Sequence, residues 1–586
     1  FKQKTAYEIS LGLVGSEMCI RDRSYGDIIT EAMYRNNPWW RYQSFFEREF
    51  IASKESFLRY IPNYEDRRSA HLMALRRALL ERYSPLDKII KDLAFSPLGL
   101  SNIWYPNLFY ALRKIIFKRA RPPLILTLRG PRQVGKTTLV KLLLIEALAL
   151  RLLKKLPFEV DFRTTHFRKI LYFPCDILLR GREDLHILLT SFIERAHRID
   201  EGDFILIFLD EISSVAGWQK TVKVLYDSGY LNDTILVATG SHSIDIKWSS
   251  EVLAWRRGNV STIDAPPDLV LMPMKYFEYV KFTCKHLKDI IHSEDKWFRF
   301  ANRVKMLTDL CKGEVDEKLY ELLTFIDDFR NALERYLISG GFIRAVVEYI
   351  ESESISDLTY KNYADLVVKD LLKWDIREEN LRRTIYSIIL TLGSNVSIRK
   401  LSNRAVLSPQ TVEKHIEYLA HSYALFQIFK IDINSKMPDY RKERKIYFFD
   451  PMIIYSLEAY IKGYFNIFDE IHENVKSNPI KKSIILENIV AAHLARFTTQ
   501  TFKLLALPEN TLFYWKSKQG EVDFIAKIGA KGFIPIEVGT KKKASRALNK
   551  VSRTLGCKGI LTGQYSDIKV EKNIVKIPIE ILLLLM

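Results

Sequence analysis

The chain has 586 residues, 47% of them hydrophobic, and its 89 Lys and Arg outnumber 70 Asp and Glu to leave a net charge of +19. This length predicts three or four domains with ordinary cores, and the charge favours an anionic partner, nucleic acid before an acidic membrane surface. Its five cysteines form no C-x-x-C pair, which excludes a disulfide framework and predicts a cytoplasmic protein. No apolar run reaches ~18 residues, which excludes a membrane helix and predicts no membrane association.

The first 23 residues resemble a translated sequencing adapter. The segment begins with Phe1 and lacks the basic start and continuous apolar centre of a signal peptide. We therefore expect residues 1–23 to be an artefact, leave them out of the fold prediction, and expect the natural N-terminus to differ.

Periodicity and composition predict six further regions in chain order. Apolar runs such as LILTL and FILIFLD alternate with longer amphipathic stretches, a pattern typical of a parallel sheet flanked by helices. Helical periods dominate on either side, and strand signals return near the end. The regions are a helical N-terminal region (24–119), the sheet-containing core (120–285), a helical region (286–382), a compact helix-helix-helix-strand unit (383–432), a helical connector (433–485) and a final α/β region (486–586).

A phosphate-binding motif follows the first apolar run of the core. Gly130, Gly135, Lys136 and Thr137 fit G-x-x-x-x-G-K-[ST] between a predicted strand and a predicted helix, the context that this motif requires. Lys136 is expected to reach the β- and γ-phosphates of ATP, and Thr137 to bind Mg²⁺. The residues expected to contact the nucleotide here are Gly130, Pro131, Arg132, Gln133, Val134, Gly135, Lys136, Thr137 and Thr138.

A pair of acids ends another apolar run, FILIFLDEI. In sheets of this kind, acids at the carboxyl end of a buried strand lie beside the phosphates. We expect Asp210 to hold Mg²⁺ and Glu211 to polarise the attacking water. Lys136, Asp210 and Glu211 are thus the predicted catalytic residues.

Polar residues after the next strand extend the predicted site. Thr239 and Ser241, in TILVATGSHS, could sense the γ-phosphate or simply form a strand-end turn. Arg256 and Arg257 follow, and either could complete the site of a neighbouring copy as an arginine finger or be a surface charge. A finger would require a homo-oligomer, which the sequence leaves open.

Six segments in fixed order resemble one family: GPRQVGKTTL, FLDEI, GWQ, ATGS, MPMKYFEY and YLISGGF. They are similar to AAA+ ATPases of the archaeal and bacterial class with a DUF4143-type C-terminal region. The resemblance covers residues 120 to about 580 and implies an ATP-driven conformational switch. The implied fold is α/β and multidomain: a P-loop NTPase (AAA+-like) doubly wound parallel sheet, a helical lid, a winged helix and a restriction-endonuclease-like C-terminal α/β domain.

The unit at 383–432 has the order of a winged helix. Ser408 is a good N-cap and Pro409 a good first residue for its last helix, whose outer face would enter the major groove of DNA. The side chains suited to that groove are Gln410, Thr411, Lys414 and His415. Packing or protein contact is the alternative use of such a unit.

Acids in the last region follow the order of PD-(D/E)xK nucleases. Glu487 lies on a predicted helix, Asp523 on a predicted hairpin and Glu537 on the next strand. The acids of that class bind Mg²⁺, and a lysine two residues after the last acid assists them, but Gly539 stands at that position. Strand alternation would place Lys541 on the same face as Glu537, so Lys541 could substitute or could grip nucleic acid.

The sequence therefore predicts an ATP-binding and ATP-hydrolysing switch that uses Mg²⁺ and acts on or with DNA. One alternative is an ATP-gated nuclease. The other is a regulatory scaffold whose nucleotide state controls partner proteins.

Overall fold

The computed structural model describes most of the chain from residue 108 onward. The described residues are 108, 112–113, 115–153, 169–199, 204–241, 256–260, 266–284, 287, 300–368, 374–501, 508–518, 520–529, 532–539 and 542–586. The adapter-like segment, residues 24–107 and Lys541 lie outside them. The chain divides into two compact units, residues 1–130 with 135–271 and residues 131–134 with 272–586.

The first unit contains a parallel sheet with helices between its strands. Its described strands are β1 (Leu124–Arg129), β2 (Lys169–Pro174), β3 (Ile205–Asp210), β4 (Thr234–Gly240) and β5 (Asp268–Val270), and its helices are α1 (Lys136–Leu153), α2 (Arg182–Ile199) and α3 (Trp218–Asp227). The sheet order is β2-β3-β4-β1-β5, and all four pairings are parallel. The α/β core predicted from the alternating apolar runs is confirmed.

Burial explains why these runs become strands. Every residue of β1, β3 and β4 is buried, as expected when helices cover both faces of a parallel sheet. Phe192 of α2 and Trp218 of α3 pack into the same core as the strands. The short edge strand β5 has only three residues and gives too little periodic signal to be predicted.

The second unit begins with helices, as predicted. They are α4 (Tyr276–Thr283), α5 (Phe300–Lys312), α6 (Glu317–Leu323), α7 (Ile326–Ser339), α8 (Ile343–Ser352) and α9 (Asp357–Val368). Gly340 and Gly341 separate α7 from α8. Gly340 has φ +61°, and a Cβ on Gly341 would lie 2.2 Å from the Met274 carbonyl oxygen, so both positions favour glycine.

Three helices and a hairpin follow. They are α10 (Glu378–Ile389), α11 (Ile398–Ala405), α12 (Pro409–His421), β6 (Leu425–Asp432) and β7 (Met437–Phe448). One sequence prediction is wrong here: the region from 433 to 485, predicted as a helical connector, contains the whole of β7. The polar composition of this segment hid the strand. In the structure β7 pairs antiparallel with β6 along its length, and its Lys445 is buried.

The final elements extend this hairpin into a larger sheet. They are α13 (Pro451–Lys462), α14 (Ile467–Ser477), α15 (Pro479–Thr501), β8 (Leu512–Ser517), β9 (Gly520–Ile528), β10 (Gly532–Val538), α16 (Lys542–Leu555), β11 (Gly559–Gly563), β12 (Lys569–Val570), β13 (Ile574–Pro578) and α17 (Ile579–Leu585). The eight strands run in the order β12-β13-β11-β10-β9-β8-β6-β7. The hydrophobic ending IEILLLLM forms the buried helix α17.

A membrane span is not seen in the described part of the chain. None of its helices combines the length and the apolar character needed to cross a bilayer.

Candidate nucleotide site and C-terminal acid cluster

Glycines shape the loop between β1 and α1. Gly130 has φ +142°, and a Cβ there would lie 1.8 Å from the Leu271 carbonyl oxygen. Gly135 has φ +95°, which also favours glycine. Lys136 begins α1, is 4% exposed, and donates from Nζ to the Gly130 carbonyl oxygen at 3.0 Å. The loop therefore closes over the helix N-terminus, where backbone N–H groups favour phosphate.

The remaining predicted loop residues differ in exposure. Pro131 and Val134 are buried, Gln133 is exposed with φ +61°, and Arg132, Thr137 and Thr138 are half-buried. Thr137 and Thr138 lie in the first turn of α1. Their hydroxyl groups are thus available near the helix N-terminus that follows the loop.

The two acids after β3 share one threonine. The Thr239 hydroxyl donates to Asp210 Oδ1 at 2.5 Å and accepts from the Glu211 backbone N–H at 2.9 Å. Tyr172 on β2 donates to Asp210 Oδ2 at 3.1 Å. Both carboxylate oxygens of Asp210 are therefore held in place by hydroxyl groups from the two neighbouring strands.

Glu211 has an unusual backbone conformation. Its φ is +49° in the left-handed region, which non-glycine residues rarely occupy and which costs about 1–3 kcal/mol. The Ser241 hydroxyl donates to Glu211 Oε2 at 3.2 Å. Thr239 and Ser241 thus fix the backbone and the carboxylate of Glu211, respectively.

Sheet order brings the loop and the acids to one edge. β4 lies between β1 and β3, and all three strands are parallel, so the residues after each strand meet at the carboxyl edge, where α/β sheets bind ligands. The oxygen donors of Thr137 and Asp210 suit Mg²⁺, which takes one or two protein ligands plus phosphate oxygens. The residues present therefore fit Mg²⁺ with a nucleotide.

The two candidate finger arginines are both paired within the chain. Arg257 Nη2 lies 2.6 Å from Asp268 Oδ1, which also pairs with Arg129, and burial lowers the pKa of Arg257 despite this partner. Arg256 Nε lies 2.6 Å from Asp227 Oδ1. Action on a neighbouring copy would require either pair to break, and the finger role stays a prediction.

The predicted C-terminal acids come together around an unpredicted lysine. Lys445 Nζ on β7 lies 3.3 Å from Glu487 Oε1, 3.2 Å from Asp523 Oδ1 and 2.7 Å from Glu521 Oε1. Glu537 joins them through its Oε2, which accepts from the Asp523 backbone N–H at 3.2 Å. These residues come from α15, β9, β10 and β7, elements far apart in sequence.

Backbone geometry explains why Gly539 stands where the nuclease pattern has a lysine. β10 ends at Val538, and Gly539 has φ +131°, a conformation that disfavours lysine. The described strand ends at Val538, and Lys541 lies outside the described residues, so its role stays a prediction.

Burial and mutual charge alter the titration of this cluster. Burial, followed by the charge of Asp523, raises the pKa of Glu487 to about 7 and that of Glu537 to about 9. Burial opposes the charge on Lys445, but the neighbouring Tyr447, Asp523, Glu487 and Glu521 raise its pKa well above the usual value. Lys445 is therefore charged at neutral pH.

His415, which the sequence predicted to contact DNA, is buried. His415 is 2% exposed, its Nδ1 lies 2.7 Å from the Thr384 hydroxyl, and burial lowers its pKa to about 4. It packs α12 against α10 and cannot reach a groove. The exposed basic and amide side chains on α11 and α12 are Arg399, Lys400, Asn403, Arg404, Gln410 and Lys414.

Sequence reasoning missed Tyr172, Glu521, Lys445 and Tyr447. Tyr172 was hidden in the apolar run of β2, Glu521 lay two residues before the predicted Asp523, and Lys445 and Tyr447 lay in the supposed helical connector. The alternation of Lys445 and Tyr447 with Ile446 and Phe448 is a period-two pattern that could have indicated a strand.

Comparison with known proteins assigns part of the chain. Residues 122–280 match the model of an AAA domain, and this similarity supports an AAA-type ATPase. Residues 330–462 match a domain of unknown function, DUF8612, which corrects the expected DUF4143-type assignment. An uncharacterized protein of Methanocaldococcus jannaschii, MJ1544, is 26% identical over 329 residues, which are 54% of this chain and 58% of the relative. The chain thus matches less than two thirds of that relative's length.

Proposed function

We propose that the protein is an ATP-binding and ATP-hydrolysing AAA+-type switch that acts on or with DNA. The observation that carries the ATPase part is the Thr239 hydroxyl, which bonds to both Asp210 and Glu211 at the sheet edge that also bears the phosphate loop. This is the arrangement of groups that nucleotide hydrolysis requires.

Each residue has a distinct role in this proposal. Lys136 would bind the β- and γ-phosphates, and Thr137 and Asp210 would hold Mg²⁺, which when bound would neutralise charge on the phosphates. Glu211 accepts a proton from the attacking water, and Ser241 orients its carboxylate.

Charge and shape support DNA as the partner. α11 and α12 form a helix pair followed by the β6–β7 hairpin, the order of a winged helix. In such pairs the first helix crosses the phosphate backbone, and Arg399, Lys400 and Arg404 are exposed on α11. Glu413 and Glu417 on α12 repel phosphate, but Arg444 and His421 lie 3.8 Å from them. The net charge of +19 adds a general attraction.

The scaffold alternative makes a different prediction about charge. A protein contact at α11 and α12 would not depend on phosphate, and affinity for DNA would not follow the number of cations on that face. Binding measured against salt concentration separates the two, because phosphate contacts release counterions.

The test is titration of a labelled duplex with the full chain by fluorescence anisotropy, at several salt concentrations. The variant Arg399→Ala/Lys400→Ala/Arg404→Ala should weaken binding at low salt by about tenfold or more and reduce the salt slope. The matched control Lys305→Ala/Lys361→Ala/Lys476→Ala removes three exposed charges from α5, α9 and α14. Equal losses in both variants would overturn the assignment of α11 to DNA.

A further inference from the structure

The C-terminal acids do not fit the metal ion that a PD-(D/E)xK nuclease holds. In the part of the chain that the structure describes, no group of three or more His, Cys, Asp or Glu side chains is placed to hold a metal. Glu487, Asp523 and Glu537 are suitable metal ligands and lie near one another. What prevents metal binding is the position of Lys445 among the carboxylates.

The Lys445 ammonium lies at the centre of the carboxylates. Its side chain is 1% exposed, and Nζ lies within 3.3 Å of Glu487, Glu521 and Asp523. An ammonium has three N–H donors, which equals the number of carboxylates around it. A buried charge is tolerated only when it is paired and hydrogen-bonded in this way.

Other protein groups also donate hydrogen bonds to these three carboxylates. Glu521 Oε2 accepts from Asn395 Nδ2 at 2.7 Å, Asp523 Oδ2 accepts from the Val538 N–H at 3.0 Å, and the Tyr447 hydroxyl donates to Glu487 Oε1 at 2.6 Å. Five of the six carboxylate oxygens of Glu487, Glu521 and Asp523 thus accept a protein donor. A metal ion at the centre of these carboxylates would have to displace the Lys445 ammonium, which lies within 3.3 Å of all three.

We infer that Lys445 is an internal cation that takes the place of the divalent metal. The nuclease-like domain then keeps its acid cluster and binds nucleic acid without cutting it. The cation is attached to β7, so it cannot dissociate and brings no activated water. This inference concerns the second unit alone and does not depend on the nucleotide site.

The first experiment measures Mn²⁺ binding by the full chain without nucleotide, using electron paramagnetic resonance of the free ion. Asp210→Asn is present throughout to remove the metal ligand after β3. We expect the same Mn²⁺ stoichiometry with and without the further change Asp523→Asn. A loss of one bound Mn²⁺ on adding Asp523→Asn would overturn the inference, and this comparison keeps Lys445 intact.

The second experiment replaces the cation in the same Asp210→Asn background. Lys445→Met leaves buried carboxylates without their partner and should lower Tm, while freeing oxygens for one Mn²⁺. We expect millimolar Mn²⁺ to raise Tm of this variant by several degrees, because a ligand that binds the folded state stabilises it, and to leave Tm of the parent unchanged. The matched control is Lys516→Met, which removes an exposed lysine on β8 paired with Glu443. A folded Lys445→Met protein that gains no Mn²⁺ site would contradict the inference.

Discussion

The Thr239 hydroxyl group positions the two acids that we propose to be catalytic. It donates to Asp210 and accepts from the backbone of Glu211, whose left-handed conformation needs such support. The side chain is fully buried, so water cannot replace the lost partner if the hydroxyl is removed.

We expect Thr239→Val to destabilise the folded protein by about 1–3 kcal/mol, because it leaves a buried acceptor and a donor unsatisfied. ATP turnover should fall as Asp210 and Glu211 lose their fixed positions. Urea unfolding and steady-state turnover check this. Thr190→Val is the matched control, since its hydroxyl donates to the His186 carbonyl of its own helix. Equal effects of both changes would contradict the role given to Thr239.

Glu537 gives a pH dependence with a definite sign. Burial and the charge of Asp523 raise its pKa from 4.5 to about 9. An acid with a raised pKa in the folded state stabilises the fold below its unfolded pKa, and this stability is lost as pH rises through the folded pKa. Relative to Glu537→Gln, the wild type should therefore lose unfolding free energy between pH 5 and 8.

The expected change is at most about 1.4 kcal/mol per pH unit, the value for one proton, and coupling to Asp523 and Glu487 spreads it over a wider pH range. Urea unfolding of both proteins at pH 5, 6.5 and 8 measures it, with Glu473→Gln on α14 as the control. Parallel curves for the wild type and Glu537→Gln would show that Glu537 has no raised pKa.

At the scale of elements, Asp450 connects two parts of the helical region. Its Oδ1 caps α13 by accepting from the Met452 N–H at 2.9 Å, and its Oδ2 accepts from the Gly341 N–H at 2.8 Å. Burial raises its pKa to about 7. The carboxylate thus holds the break between α7 and α8 against the start of α13.

Asp450→Ala should destabilise the protein by about 2–4 kcal/mol, because two buried backbone N–H groups lose their acceptor. Asp316→Ala removes an N-cap with one such bond, to Lys318, and should cost about 1 kcal/mol. Chemical unfolding compares them. The connecting role fails if Asp450→Ala costs no more than Asp316→Ala.

Elements were predictable where one physical signal dominated. β1, β3 and β4 are uninterrupted apolar runs, and the glycines and Lys136 identify the loop before α1. β7 was missed because its polar residues are satisfied by partners that come from distant segments, such as Glu487 and Asp523 for Lys445. The acids were predicted from their order, but their cation was not, since no local pattern encodes a contact across 78 residues.

At the scale of the whole molecule, the proposed switch combines a nucleotide site at the carboxyl edge of the parallel sheet with the basic helices α11 and α12. A switch requires that nucleotide turnover and DNA binding affect each other, because coupling between two sites is reciprocal in free energy. The excess of basic residues alone would give DNA affinity without any such coupling.

The most direct measurement is steady-state ATP turnover by the full chain at low salt, with increasing duplex DNA and with Lys136→Ala as the blank. The account predicts that turnover requires Lys136 and rises severalfold as DNA saturates the protein. Turnover that depends on Lys136 but stays unchanged at saturating DNA would contradict the central claim and indicate a switch that acts on a protein partner.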